Sequence, residues 1–340
     1  MTRTETTSPF RYGPLLSVLV AAVVGVLVGV ALTATAPIPG VANPGEVVSV
    51  AIPLVRVLLD VAAVATVGLA LLSVLVGYDR PKLSEPVLRR ARRAAVVSAL
   101  VWSVSALVAL ILQTAEFRPQ ARTVGLGDVR DYVATVGAGK ALLIVAVLAL
   151  THAVLGVLAV RHGEKVPAEV RVGLGLFALL PLPVTGHASN WAYHDYTMIS
   201  MELHVMSAVA WTGGLGAMAV LLVGNRTLLA HALPRFSKLA TLCLLLAAGT
   251  GLFNGVVEIA LNPTIDFWTG LLTTPYGQLV LLKTACVGVI ALLGAQLRWR
   301  LLPRIVRHQP TALAAWATAE LAVMGLAFGF AVVLTRAPVF

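Results

Sequence analysis

The chain has 340 residues, 59% of them apolar and only 12% charged, with a mean hydropathy of +0.91. That charged share is about half of an ordinary globular protein's, too little to solvate a water-soluble body of this size. The net charge, 25 − 15 = +10, does not indicate nucleic acid. A nucleic-acid binder carries its basic side chains on a wet face, whereas here they fall in short gaps between apolar runs. The composition predicts an all-α, polytopic helical membrane protein.

A membrane span needs roughly 17 to 25 mostly apolar residues. Nine stretches qualify: Leu15–Ala36, Val48–Val76, Ala94–Leu112, Lys140–Val160, Val172–Ala188, Ile199–Val223, Leu239–Ala260, Gln278–Leu297 and Leu313–Leu334. The first has an apolar run of about 20 residues, longer than the roughly 7 to 15 of a secretory signal, and reads as an anchor. The segment near 114–139 is too polar to span. Its Val124, Val129, Tyr132, Val133 and Val136 recur at helical spacing, which predicts an amphipathic helix lying along the outer interface. Pro181 and Pro183 should kink or loosen the fifth span. We expect two regions: residues 1–171 with four spans and the amphipathic segment, and residues 172–340 with five spans.

Loop charge sets orientation. The N-terminus and even-numbered loops hold 18 basic residues and the opposite side 5, with Arg56 and Lys283 left inside spans. The N-terminus is therefore expected in the cytoplasm and the C-terminus outside. Cys243 and Cys286 lie at depths of about 25 Å and 12 Å by helical rise, too far apart to bond, and read as small core residues.

An ionisable side chain inside a bilayer is costly and is a functional candidate by default. The densest set flanks the fifth outer loop: His187, Asn190, Trp191, Tyr193, His194, Asp195, Tyr196, Met198, Met201, Glu202 and His204. Imidazole and thioether together suit copper, Cu(I) above all. At 100° per residue, Met201 stands about 60° from His204 and Met198 about 120°, while Glu202 is about 160° away. His204 and Met201 thus share a face with Ala208 and Trp211, and Glu202 does not. His187 closes the preceding span at a similar level, so the two histidines meet if those antiparallel helices face each other. Interfacial anchoring accounts equally for Trp191, Tyr193 and Tyr196, and core filling for the methionines.

Further along, Thr250, Asn254 and Glu258 form an i,i+4 polar stripe, with Gly251 and Gly255 beside it as a small-residue packing surface. Lys283, about 8 Å deep on the next span, can pair with Glu258 or snorkel outward. The stripe and Lys283 read as a structural seam or as an ion path. Arg56 and Asp60 sit i,i+4 in the second span and are expected to neutralise each other. His152 and Glu320 are deep and isolated; Glu320 is a candidate proton relay without a named partner. The sequence contains no phosphate-binding glycine loop and no hydrolase signature, and no enzymatic activity is expected.

Several of these residues resemble the copper resistance protein D (CopD) family. They are Gly186-His187-Ala188; His204 with Trp211, Gly213 and Gly214; Arg235-Phe236-Ser237-Lys238-Leu239-Ala240; Thr250-Gly251-Leu252-Phe253-Asn254-Gly255; and Thr273-Thr274-Pro275-Tyr276-Gly277-Gln278 leading to Lys283. The resemblance is concentrated in residues 186–303. It implies a bacterial plasma-membrane protein of copper handling that moves copper inward from an extracytoplasmic source. It also implies partnership with a small CopC-like copper-binding protein or a CtaG-like oxidase assembly factor, and neither is expected as a fused extension. Long Met/His-rich tracts are absent, so high-capacity copper sequestration is not expected.

The leading expectation is a copper permease or delivery protein whose outer site is built on His187 and His204. Met201, Met198 and His194 are its further candidate ligands. Two alternatives stay open: a membrane redox protein with two histidines as axial ligands to a b-type haem, and a non-transporting scaffold for assembly of a haem-copper oxidase. The orientation makes a direct prediction. A cysteine placed at position 85 should resist a membrane-impermeant thiol reagent applied to intact cells, and labelling there would reverse the topology.

Overall fold

The computed structural model describes residues 13–33, 45–120, 123–186, 194–307, 309 and 312–337, without the side chains of Glu46 and His194. All regular structure in these residues is helical: α1 (Gly13–Thr33), α2 (Glu46–Val76), α3 (Pro81–Phe117), α4 (Leu126–Thr135), α5 (Gly137–His162), α6 (Ala168–Phe177), α7 (His194–Leu221), α8 (Arg226–Ala260), α9 (Phe267–Thr273), α10 (Pro275–Gln296), α11 (Leu302–Val306) and α12 (Leu313–Leu334). Nine segments among the described residues are long and apolar enough to cross a membrane. The protein is a multi-pass membrane protein.

Several helices run past the apolar stretches that announce them. α3 begins at Pro81, thirteen residues before the expected Ala94, and ends at Phe117. Proline is favoured at a first helical position because its missing N–H is not needed there, and apolarity alone does not mark the polar turns that follow. Arg92 and Arg171, counted above as loop residues, are consequently buried within α3 and α6. Arg92 makes a two-pronged contact with Glu85, at 2.7 and 3.1 Å. α8 likewise starts at Arg226, where the Asn225 side chain accepts the Leu228 amide at 3.1 Å and caps a helix end that otherwise has free donors.

The polar outer segment contributes only the ten-residue α4, shorter than the 114–139 stretch expected, because α3 and α5 take its two ends. Tyr132 is the buried face of α4. It packs edge-on to Phe117 with ring centroids 5.6 Å apart and donates to Gln113 Oε1 at 3.3 Å. The fifth span is broken as the prolines require: α6 stops at Phe177 and a 3-10 turn, Leu182–Thr185, continues it. α9 escaped the sequence reading; Asp266 caps it by accepting the Thr269 amide at 3.1 Å. Hydrogen bonds from Thr269 hold the Asp266 carboxyl below its ordinary range. Thr274, accepting from the Gly277 amide at 3.0 Å, caps α10.

α2 and α7 form the centre, each with 67% of its apolar window buried, against 22% for α8 and for α10. Glycines set the closest approaches. A Cβ on Gly68 of α2 would overlap the Gly213 carbonyl of α7, and one on Gly213 would overlap the Val64 carbonyl. The two backbones therefore touch, as small residues permit between membrane helices. Gly214 makes room for Phe236, whose Cε2 would lie 2.7 Å from a Cβ there. Beside Phe236, Arg235 donates to the Leu75 carbonyl at 3.2 Å, placing a cation at the C-terminal turn of α2. Cys243 and Cys286 are free and buried in separate clusters.

Overpacking a tight contact costs about 1–3 kcal/mol. Gly213→Val should therefore lower stability by about 2 kcal/mol in unfolding measurements on detergent-solubilised protein. Gly249→Ala, where an added Cβ meets nothing within 4 Å, should be neutral or stabilising.

Candidate functional site

α2, α7, α8, α10 and α12, with the turn after α6, enclose a cavity of about 160 Å³. Its ionisable lining comprises Arg56 and Asp60 from α2, His204 from α7, Glu258 from α8 and Lys283 from α10. Met201 lies on the α7 wall, one turn from His204, with Ala208 and Trp211 further along the same wall. This is the face that the 100° periodicity assigned to them.

His204 is the junction of three helices. Its Nδ1 lies 2.8 Å from the Ala247 carbonyl and 3.3 Å from Thr250 Oγ1, both on α8. A carbonyl only accepts, so Nδ1 carries the proton and Nε2 presents its lone pair. Lys283 Nζ donates to that Nε2 at 3.3 Å. Gly251 provides the seat for the ring, since a Cβ there would lie 2.9 Å from His204 Cε1. A backbone carbonyl on one imidazole nitrogen fixes the tautomer and ring orientation of a metal-binding histidine; here the other nitrogen is engaged by Lys283.

Thr250, Asn254 and Glu258 run along α8 beside this junction. Asn254 is buried, with its Nδ2 4.0 Å from Met201 Sδ; its Oδ1 accepts no hydrogen bond among the described residues. Glu258 accepts from the Tyr276 hydroxyl at 2.6 Å. Lys283 turns to His204 rather than snorkelling outward, a contact that the sequence did not announce because it depends on the rotation of α10. Gly251 and Gly255 serve different neighbours: the first seats His204, and the second meets Val280 of α10, 3.0 Å from a Cβ position.

Across the cavity, Arg56 Nε lies 3.2 Å from Asp60 Oδ1, and Arg56 Nη1 donates to Thr185 Oγ1 at 2.6 Å. The pair thereby ties α2 to the turn that leads to Gly186, itself a lining residue. Met198 and Glu202 are half-buried on α7 and do not line the cavity. His187 lies outside the described residues, as do Asn190, Trp191 and Tyr193, and the His194 side chain is likewise not described. Among the described residues, no group of three or more His, Cys, Asp or Glu is placed to hold a metal ion.

Residues 47–194 match the family model described as copper resistance protein D-like, N-terminal domain, and residues 230–334 match that of copper resistance protein D. The two models occur in order and together cover most of the chain. The chain belongs to the copper resistance protein D family. The family links it to copper resistance, and the cavity wall formed by His204 and Met201 belongs to a member of that family. Neither a curated protein nor a solved structure matches the chain.

Removing one partner of a fully buried ion pair leaves an uncompensated charge and costs about 3–5 kcal/mol, whereas replacing both by apolar residues is often neutral; the Arg56 and Asp60 side chains are each 18% exposed, which places them at the low end. Asp60→Ala should therefore destabilise the detergent-solubilised protein by about 3 kcal/mol, and the double variant Arg56→Met/Asp60→Leu should recover most of that loss.

Proposed function

We propose that this protein carries copper across the bacterial plasma membrane, taking it from the outer face into the cavity. The N-terminus is cytoplasmic and the C-terminus outside, a reading supported by the 18-to-5 asymmetry of basic residues. The site lies within the C-terminal region, residues 172–340. Its core is His187 and His204, with Met201 as third ligand and His194 and Met198 as further contributors on the approach. A CopC-like donor on the outer face and a CtaG-like assembly factor are the partners this role calls for.

The observation that carries the proposal is the orientation of His204. Its Nδ1–H is fixed on the Ala247 carbonyl, which leaves Nε2 as the metal-binding nitrogen, and Met201 adds a thioether to the same wall. Gly186, the residue before His187 in the sequence, lines the same cavity. Lys283 stands where the ion would bind and must swing aside on loading. The volume also favours an ion: about 160 Å³ is well below the roughly 300–1,000 Å³ of sites for drug-sized ligands, and a haem is at least that large.

Copper binding by the wild type and by His187→Ala, His204→Ala and Met201→Ala tests the proposal, with a competing chelator reporting affinity. Each histidine variant is expected to lose at least about tenfold in affinity, equivalent to about 1.4 kcal/mol, and Met201→Ala to lose less. Wild-type affinity in both histidine variants would refute the site.

A further inference from the structure

His204, with its Nε2 held by Lys283, lines a cavity whose far end is built differently. Met324 of α12 lines it there, with its Sδ accepting from Thr212 Oγ1 of α7 at 3.3 Å. Ile290 of α10 lines the same end. One helical turn beyond these two residues stand Glu320 on α12 and Gly294 on α10. Glu320 is 3% exposed and makes no hydrogen bond or ion pair with any described residue. A Cβ added to Gly294 would lie 3.9 Å from Glu320 Oε1, so the carboxylate faces the α10–α12 seam where glycine leaves space.

Helical rise gives the depth of each group. Met324 is about 16 Å and Glu320 about 10 Å from the Leu313 end of α12, while Lys283 is about 12 Å from the opposite end of the antiparallel α10. His204 and Lys283 therefore occupy one half of the bilayer and Glu320 the other, with Met324 between them near the midplane. Buried charges in proteins are paired or coordinate metals, and carboxylates inside membranes mark ion pathways. Glu320 has no paired cation among the described residues. A cation that enters from the cavity would find a thioether first and an anionic oxygen next.

We propose that Met324 and Glu320 form a second copper station, through which the ion passes from the cavity toward the inner face. The proposal rests on the copper-carrying reading above. Met324 receives the soft ion from the His204–Met201 wall, and Glu320 supplies the countercharge that lets it advance past the midplane.

The test uses full-length protein, with Cu(I) titrated against a competing chelator in detergent and Cu(I) uptake followed in proteoliposomes. Wild type, Glu320→Gln, Glu320→Asp and Met324→Leu are compared. Glu320→Gln and Met324→Leu should keep the tight outer binding step, lose the weaker second step, and take up copper at least about tenfold more slowly. Glu320→Asp, which keeps the anion, should recover part of both. A thermal midpoint at or above the wild-type value in Glu320→Gln establishes that folding is intact. A second binding step that persists in Glu320→Gln overturns the station, and slowed uptake with unchanged stoichiometry reassigns Glu320 to proton movement. These outcomes are separable from failure of the outer site, which would appear as undiminished tight binding in His187→Ala and His204→Ala.

Discussion

Inside the hydrocarbon layer no water is available to complete a hydrogen bond, so each polar group must be satisfied by the chain itself. His204 meets that demand for three helices at once. Its ring donates to a carbonyl of α8 and accepts from a lysine of α10 while belonging to α7. The relative rotation of those helices is thereby tied to one imidazole. Gly251 follows from the same constraint, because any larger residue would displace the ring from the carbonyl that orients it. Met201 and Trp211 then take their places on the wall through helical periodicity alone.

The charges around the cavity form a balanced set. Arg56 and Lys283 are basic, Asp60 and Glu258 are acidic, and each is engaged: Arg56 with Asp60, Lys283 with His204, Glu258 with Tyr276. With formal charges that cancel, a cation carried as proposed above would meet neither a repelling wall nor a trap deep enough to hold it permanently. Conduction has the same requirement: binding must be favourable enough for entry and weak enough for exit.

The spans were legible because twenty apolar residues in a row have few other meanings, and the break after α6 because proline removes a helix donor. The true start of α3 was not, since its first turns are polar and held by the Arg92–Glu85 contact rather than by apolarity. At the site, the shared face of His204 and Met201 followed from 100° per residue. Lys283 meeting His204 did not, because the rotation of one helix against another is a property of packing that no single helix encodes. The glycines of the Gly251–Gly255 pair read correctly as small packing positions, yet only the assembled helices show that one accommodates a side chain of the site and the other a valine of α10. Glu320 was legible only as a deep acid and Met324 was not singled out at all, with nothing in their own helix to connect them to a cavity built largely by four other helices.

Backbone contact between α2 and α7 at Gly68 and Gly213 makes those helices a single stiff beam. At this crossing no side chain separates the two backbones, and displacing either one drags a carbonyl across its neighbour's chain. The beam carries Arg56 and Asp60 on one half and His204 and Met201 on the other, so the glycine contact sets the spacing of these four side chains. The opposite wall is held differently: α8 and α10 are thinly embedded, and Lys283 is joined to the beam by one hydrogen bond. The cavity thus has one wall held by backbone contact and one held by side chains, with His204 Nε2 on the first.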